Sequence, residues 1–131
     1  MKATVVIECN KDLYFSCFTE ESFDGFGLFG YGDTSKEAKE DLQSSYEYFK
    51  EEFAKEGREV PELTFTYKYD LSGIFSHFRV LDVRGVARKC GIRPSRMLQY
   101  SSGKAMCSEE TYDRIRKALH TIGEELSNAV I

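Results

Sequence analysis

The chain has few of the residues that cross-link a protein or interrupt its secondary structure. Its 131 residues include 4 cysteines, 2 histidines, 2 prolines and no tryptophan. The cysteines show no C-x-x-C spacing and His77 and His120 stand alone, so we expect buried free thiols and neither a zinc site nor another cofactor. No apolar run approaches ~18 residues and the N-terminus lacks an apolar signal-peptide core, so we expect a cytoplasmic protein with no membrane contact.

Positive charge is scarce in the first half of the chain and concentrated in the second. The composition, 41% hydrophobic and 31% charged with a net charge of −4, is typical of a globular protein. Residues 1–70 hold 8 Lys and Arg against 16 Asp and Glu, whereas residues 71–131 hold 10 against 6. This asymmetry indicates two partners of opposite charge.

The first 69 residues have the pattern of one sheet with one helix laid across it. Stretches rich in β-branched and aromatic residues predict four strands, at 2–9, 13–19, 27–32 and 62–70. Before the fourth strand, Thr34 and Glu37 have capping-box spacing, and apolar residues then recur three or four apart, as expected for a helix. The predicted order is β-β-β-α-β, with a turn at 10–12 and a polar loop at 20–27.

Residues 70–131 are predicted to form a second, all-α domain, so the fold class is α+β. Four helices are indicated by helix-start residues: Asp70, Asp82, Pro94 and Ser108. In the last helix, apolar residues at spacings of 3 and 4 form either the face packed on the domain core or a seam for a second copy. They are Tyr112, Ile115, Leu119, Ile122 and Leu126.

Two of these helices have the residue sizes of a helix-turn-helix. Ala87 is small enough for a helix crossing, and Gly91 suits the turn. Apolar residues at the right offsets would fill the space between the helices: Val86, Cys90, Ile92, Met97 and Tyr100. Seven basic residues and one acid lie between Arg79 and Lys104, which favours attraction to phosphates. The predicted contacts to double-stranded operator DNA are Arg84, Arg88, Lys89, Arg93, Ser95, Arg96, Gln99 and Lys104.

The segment "ARKCGIRPSRMLQYSSGK" resembles the Cro/C1-type, XRE-like helix-turn-helix family, and "SEETYDRIRKAL" is similar to that family's closing helix. Leu98 stands where the family usually has a polar residue. The resemblance implies a DNA-binding protein. Repressors of this type read two half-sites, so we expect a homodimer or a higher oligomer.

The segment "GDTSKEAKEDL" is similar to the N-terminal domain of HicB-type antitoxins, with Gly32, Asp33, Thr34, Glu37 and Ala38 matching. The loop "SFDGFGLFG" departs from that family because it has no proline. The resemblance implies a degenerate ribonuclease H-like domain that neutralises a small, basic, HicA-type mRNA-cleaving toxin. It also implies repression of the toxin–antitoxin operon. The candidate toxin-binding residues are Glu37, Glu40, Asp41, Glu47 and Glu51.

Two alternatives remain open at this point. The chain could be a solitary helix-turn-helix regulator whose N-terminal domain oligomerises or senses a ligand. It could also be a nuclease, but a ribonuclease H-type site needs several acids around a metal, one of them in the middle of the first strand. The first strand offers only Glu8, near its end, and Asp12, Asp24 and Asp33 fall in turns. We therefore expect no enzymatic activity.

Overall fold

The computed structural model describes residues 1–23 and 25–131, which form one five-stranded mixed sheet and five helices. The strands are β1 (Lys2–Cys9), β2 (Phe15–Thr19), β3 (Phe29–Gly32), β4 (Thr64–Tyr69) and β5 (Cys107–Ser108). The helices are α1 (Ser35–Lys55), α2 (Ser72–His77), α3 (Val83–Cys90), α4 (Pro94–Ser102) and α5 (Glu109–Asn128). The α+β class is confirmed. Asp24, in the predicted loop 20–27, lies outside the described residues.

The sheet has the strand order β3-β2-β1-β4-β5. Strands β1 and β2 form an antiparallel hairpin around the predicted turn, and β4 runs parallel to β1 after the α1 crossover. At the hairpin turn, Asn10 Oδ1 accepts hydrogen bonds from the N–H groups of Asp12 at 2.9 Å and Tyr14 at 3.0 Å. The central strand β1 is almost fully buried, as its β-branched sequence requires.

Helix α1 starts where the capping residues predict. Thr34 Oγ1 accepts from the Glu37 N–H at 3.1 Å, and Glu37 Oε2 accepts from the Asp33 N–H at 2.9 Å. The buried face of α1 packs closely on β3. A Cβ added at Gly30 would lie only 2.2 Å from the Ala38 carbonyl oxygen, so there is no room for a side chain at this position. Only glycine permits this approach.

Side chains of α1 also cover the free edge of β3. Asp41 Oδ2 accepts from the Tyr31 N–H at 2.9 Å, and Ser45 Oγ donates to the Phe29 carbonyl at 3.4 Å. These bonds occupy backbone groups that would otherwise be open to pairing with another strand.

The C-terminal part departs from the prediction at one point, since it is not all helical. The short strand β5 pairs antiparallel with β4, placing Cys107 opposite Tyr69 and Ser108 opposite Lys68. The connection from α4 to α5 passes along the open side of β4, where pairing satisfies backbone groups beside the buried Cys107. A two-residue strand has no alternation that a sequence pattern could reveal.

Helices α3 and α5 start at the predicted capping residues. Asp82 accepts from the Arg84 N–H at 3.2 Å and Ser108 from the Thr111 N–H at 3.2 Å. The prediction was wrong by one residue for α2, whose N-cap is Leu71 without a side-chain cap bond; Asp70, one position earlier, accepts from the Ser72 N–H at 2.9 Å. One hydrophobic core runs through both parts of the chain. The domain boundary between residues 69 and 70 stays a prediction.

Candidate nucleic-acid interface

The turn between α3 and α4 has the geometry that its sequence predicts. Helix α3 ends at Gly91, which adopts the left-handed conformation with φ 69°. The Ile92 N–H then donates to the Ala87 carbonyl at 2.9 Å, and Pro94 opens α4 after two residues. Because L-residues with a side chain adopt this conformation only at a cost, glycine stabilises the turn.

The contact between α3 and α4 is filled by the predicted apolar side chains. Ala87 is completely buried, and Val86, Met97 and Tyr100 are buried beside it. Cys90 and Ile92 are half-buried at the edge of the same core. This packing fixes the rotation of α4 about its axis, which determines which residues face solvent.

The residues predicted to contact bases all lie on the solvent-exposed side of the motif. Arg93, Ser95, Arg96 and Gln99 are exposed, and α4 packs on α3 and α2. Leu98, the departure from the family pattern, is 40% exposed. The outward face therefore carries the donors and acceptors that base edges and phosphates require.

Arg96 is held in place by two neighbours on the same helix. Its Nη1 donates to Gln99 Oε1 at 2.8 Å, and its Nε donates to the Tyr100 hydroxyl at 3.2 Å. The guanidinium carbon also lies 5.0 Å from the centroid of the Tyr100 ring. Because these contacts restrict the rotamers of a long side chain, less conformational entropy is lost when the guanidinium binds.

The other predicted cations fall into two groups. Lys89 Nζ lies 2.7 Å from Glu125 Oε1 on α5, so its charge is offset. Arg88 is exposed and lies 3.9 Å from Asp82, so its ion pair is weak. The remaining three predicted cations form no ion pair within the described part of the chain: Arg84, Arg93 and Lys104. These three are therefore free to approach phosphates.

Arg114 supports the motif and was not predicted. Its Nη2 donates to the Cys90 carbonyl at 2.7 Å and approaches the Gly91 carbonyl at 3.4 Å. A cation at the C-terminus of α3 satisfies its last carbonyl groups and complements the helix dipole. The contact joins α5 to the turn across more than twenty residues of chain, so no local spacing could reveal it.

The structure divides the five predicted toxin-binding acids of α1 by what they contact. Glu37 and Asp41 accept hydrogen bonds from backbone N–H groups of their own fold. Glu40, Glu47 and Glu51 are exposed at spacings of seven and four, which places them along one side of the helix. We call these three the acidic stripe. The Glu47 carboxylate contacts side chains of its own helix, Gln43 at 3.0 Å and Lys50 at 3.9 Å.

The thiols are poorly suited to nucleophilic chemistry. Burial is the main cause that raises the pKa of Cys9 and Cys17 to about 11 and that of Cys107 to about 12. Burial also raises the pKa of the half-buried Cys90. The thiolate, which is the reactive form, is therefore scarce near neutral pH.

The histidines and carboxylates form no metal-binding group in the described part of the chain. No set of three or more His, Cys, Asp or Glu side chains converges there. His77 Nδ1 contacts the Lys11 carbonyl oxygen, and His120 is exposed on α5. Among the described helices, none has both the length and the apolar character needed to cross a bilayer.

Comparisons of the chain with protein-family models, with curated proteins and with solved structures found no match. Function is therefore inferred from the positions and chemistry of the residues themselves.

Proposed function

We propose that this chain is a sequence-specific DNA-binding repressor and the antitoxin of a type II toxin–antitoxin pair. One observation carries the DNA-binding part of the proposal. Arg93, Ser95, Arg96 and Gln99 are exposed on a helix whose orientation is fixed by the Gly91 turn and a buried helix crossing. In this proposal α4 enters the major groove, and these side chains read base edges or bind the adjacent phosphates.

The distribution of charge supports this docking. Arg84 and Lys104 lie on either side of the exposed face of α4 in the chain and extend its positive charge toward the phosphate backbone. The acids that give the molecule its negative net charge lie mostly in residues 1–70. The duplex is therefore attracted to the helix-turn-helix side.

The toxin-binding part of the proposal rests on the acidic stripe and on the resemblance to HicB-type antitoxins. Three carboxylates in a row on a 21-residue helix suit a basic protein partner, because complementary charge speeds docking and fixes its register. The β-β-β-α-β order of the first part also supports a likeness to the degenerate ribonuclease H-like domain of that family. We propose a binding role without catalysis for this domain.

DNA binding is tested with the full chain and the DNA upstream of its own reading frame. Fluorescence anisotropy against a shuffled duplex of the same composition measures specificity, and a salt series measures the number of phosphate contacts. We expect a site bound at least about 1,000-fold more tightly than the shuffled duplex. Equal affinity for the two duplexes would refute sequence-specific repression.

Toxin binding is tested by co-purification with the product of the neighbouring reading frame. If that product is a small basic protein, we expect it to co-purify and to be lost on simultaneous replacement of Glu40, Glu47 and Glu51 by lysine. The matched control makes the same charge change away from the stripe, by replacing three exposed acids: Glu20, Glu56 and Glu59. Retention by the stripe variant, or equal loss in the control, would refute the assigned surface.

A solitary regulator is the second candidate function, and one observation favours it. The loop "SFDGFGLFG" before α1 lacks the proline that HicB-type antitoxins have there, which favours a chain without a toxin partner. If no protein co-purifies while operator binding is retained, the chain is a regulator whose N-terminal part serves another purpose.

A further inference from the structure

A groove lined mostly by apolar side chains lies between α2 and α5. Its volume is about 710 Å³, and Leu71, Phe75 and Phe78 form one wall while α5 forms the other. Phe78 is 41% exposed in the absence of any cover. An open apolar surface of this kind marks an interaction site.

The α5 wall of the groove is one continuous stripe along the helix. Its members recur every three or four residues, at 112, 115–116, 119–120, 123–124 and 127. This stripe begins with the buried Tyr112 and Ile115 and continues into exposed positions. Near the end of the same helix, Leu126 is 67% exposed. The N-terminal half of the stripe therefore serves the core, and the C-terminal half is left without a partner.

We propose that this groove is the interface with a second copy of the chain, in which two α5 helices pack antiparallel about a two-fold axis. An axis between Leu119 and His120 brings the stripe onto itself, so that position 112 meets 127 and position 116 meets 123. A closed symmetric dimer requires this kind of self-complementary surface.

Charge complementarity selects a second copy as the occupant. Arg116 and Glu124 both line the groove, on opposite sides of the proposed axis. Their positions lie about 12 Å apart along α5 at 1.5 Å per residue, which is too far for an ion pair within one chain. In the antiparallel pair, each Arg116 lies beside the other copy's Glu124, which gives two ion pairs per dimer.

The space at the crossing also fits this arrangement. A Cβ added at Gly123 would meet nothing within 4 Å, so this position is open. In the proposed dimer Arg116 passes over Gly123 of the other copy to reach its Glu124. The contact that Arg116 makes in a single chain, 3.6 Å from Asp113 between exposed groups, is weak enough to exchange.

The interface deepens the proposed function, since a helix-turn-helix repressor gains affinity by reading two half-sites as a dimer. Dimerisation is nevertheless measured without DNA, so the dimer interface and the repressor function can be refuted separately. A dimer with no affinity for DNA would leave the interface intact and refute the repressor. Conversely, a monomer that binds a single half-site would refute the interface alone.

The test is analytical ultracentrifugation of the full chain over a wide concentration range. We expect the wild type to dimerise, and Arg116→Glu and Glu124→Arg each to weaken dimerisation at least about 10-fold by juxtaposing like charges. The double variant should recover affinity to within about 3-fold of the wild type, because the pairs are restored across the axis. Lys117→Glu reverses a charge on the same helix outside the groove and should leave the dimer unchanged.

Circular dichroism melting accompanies each variant, and all three positions are exposed, so the fold should be preserved. A chain that stays monomeric at all concentrations would overturn the interface, as would a dimer indifferent to both single charge reversals. Failure of the double variant to recover would also overturn it.

Discussion

The ring of Tyr69 lies parallel to the ring of Tyr112, with 3.9 Å between their centroids and 8° between their planes. Tyr69 ends β4 and Tyr112 lies in the first turns of α5. The Tyr69 hydroxyl donates to Glu109 at 2.9 Å, and Glu109 also pairs with Lys39 of α1. The Tyr112 hydroxyl donates to Ser35 at 3.3 Å. These contacts connect the sheet, α1 and the helical part of the chain.

Replacing Tyr112 by alanine tests this connection. We expect a loss of about 3 kcal/mol in the free energy of unfolding, because the change removes a buried ring from the shared core. Urea unfolding measures it, with near-UV and far-UV circular dichroism as independent probes. Tyr48→Ala, at a position 60% exposed, should change stability by less than about 0.5 kcal/mol. Two separate transitions in the wild type would show that the parts unfold independently and that the stack does not couple them.

Gly30→Ala should be strongly destabilising, by about 3 kcal/mol or more, because the new methyl group meets the α1 backbone at 2.2 Å. Backbone cannot move aside as a flexible side chain can. Gly27→Ala is the matched control, since its Cβ would lie 3.6 Å from Thr19 Oγ1, an ordinary contact. Thermal and urea unfolding compare the two variants, and similar stabilities would contradict the close approach of β3 and α1.

Arg96→Ala should weaken the specific operator by about 1–3 kcal/mol and affect a shuffled duplex much less, as expected for loss of a base contact. Tyr100→Phe removes the hydroxyl that holds the Arg96 Nε and should produce a smaller loss of the same kind. Anisotropy titrations on both duplexes measure the difference. Unchanged operator affinity in Arg96→Ala would show that another surface reads the DNA.

Lys104→Ala should instead weaken binding to all duplexes alike and reduce the salt dependence by about one counterion, as expected for a phosphate contact. Lys36→Ala, an exposed lysine on α1, is the matched control and should leave both duplexes bound as in the wild type. A loss confined to the operator would assign Lys104 to base reading.

Stability should fall as the pH rises from 9 toward 11–12. The pKa values of Cys9, Cys17 and Cys107 are raised by burial from 9.0 to about 11, about 11 and about 12. Above pH 9 the unfolded chain therefore releases protons that the folded chain retains, and the unfolded state is favoured. The raised pKa of the buried Tyr69 adds to this loss above pH 10.

Urea midpoints measured under reducing conditions at intervals from pH 8 to pH 11 check this expectation. Cys107→Ala should flatten the pH dependence more than Cys90→Ala, since Cys90 is less buried. Midpoints that do not change with pH would show that the buried thiols ionise as freely as in the unfolded chain.

Much of the fold could be predicted because its signals are local. Thr34, Asp82 and Ser108 are capping residues whose hydrogen bonds reach only two or three positions along the chain. Gly91, which has a positive φ, ends α3 as expected, and Gly103 ends α4 in the same left-handed conformation. The period-2 and period-3.6 patterns located four strands and the helices, with boundaries shifted by one or two residues in β2, β3 and β4.

The features that were missed depend on long-range contacts or on very short elements. Strand β5 has two residues, and its pairing with β4 depends on how the α4–α5 connection crosses the sheet. The contact of Arg114 with the α3 terminus joins distant segments. Asp41 was predicted as a partner-binding acid, but its bond to the Tyr31 N–H could be found only once the edge of the sheet was located. The groove was likewise missed, because it exists only where α2, α5 and the β1–β2 turn meet.

The pairing of β5 with β4 has a consequence for the geometry of any assembly. It fastens the chain between α4 and α5 to the same sheet that carries α1. If α4 binds DNA as proposed, a protein bound to the acidic stripe would therefore lie at a fixed distance from the double helix. If several copies bound adjacent operator sites, the spacing of their bound protein partners would be set by the helical repeat of the DNA. The number of occupied sites would then limit how many partner molecules are bound at the operator.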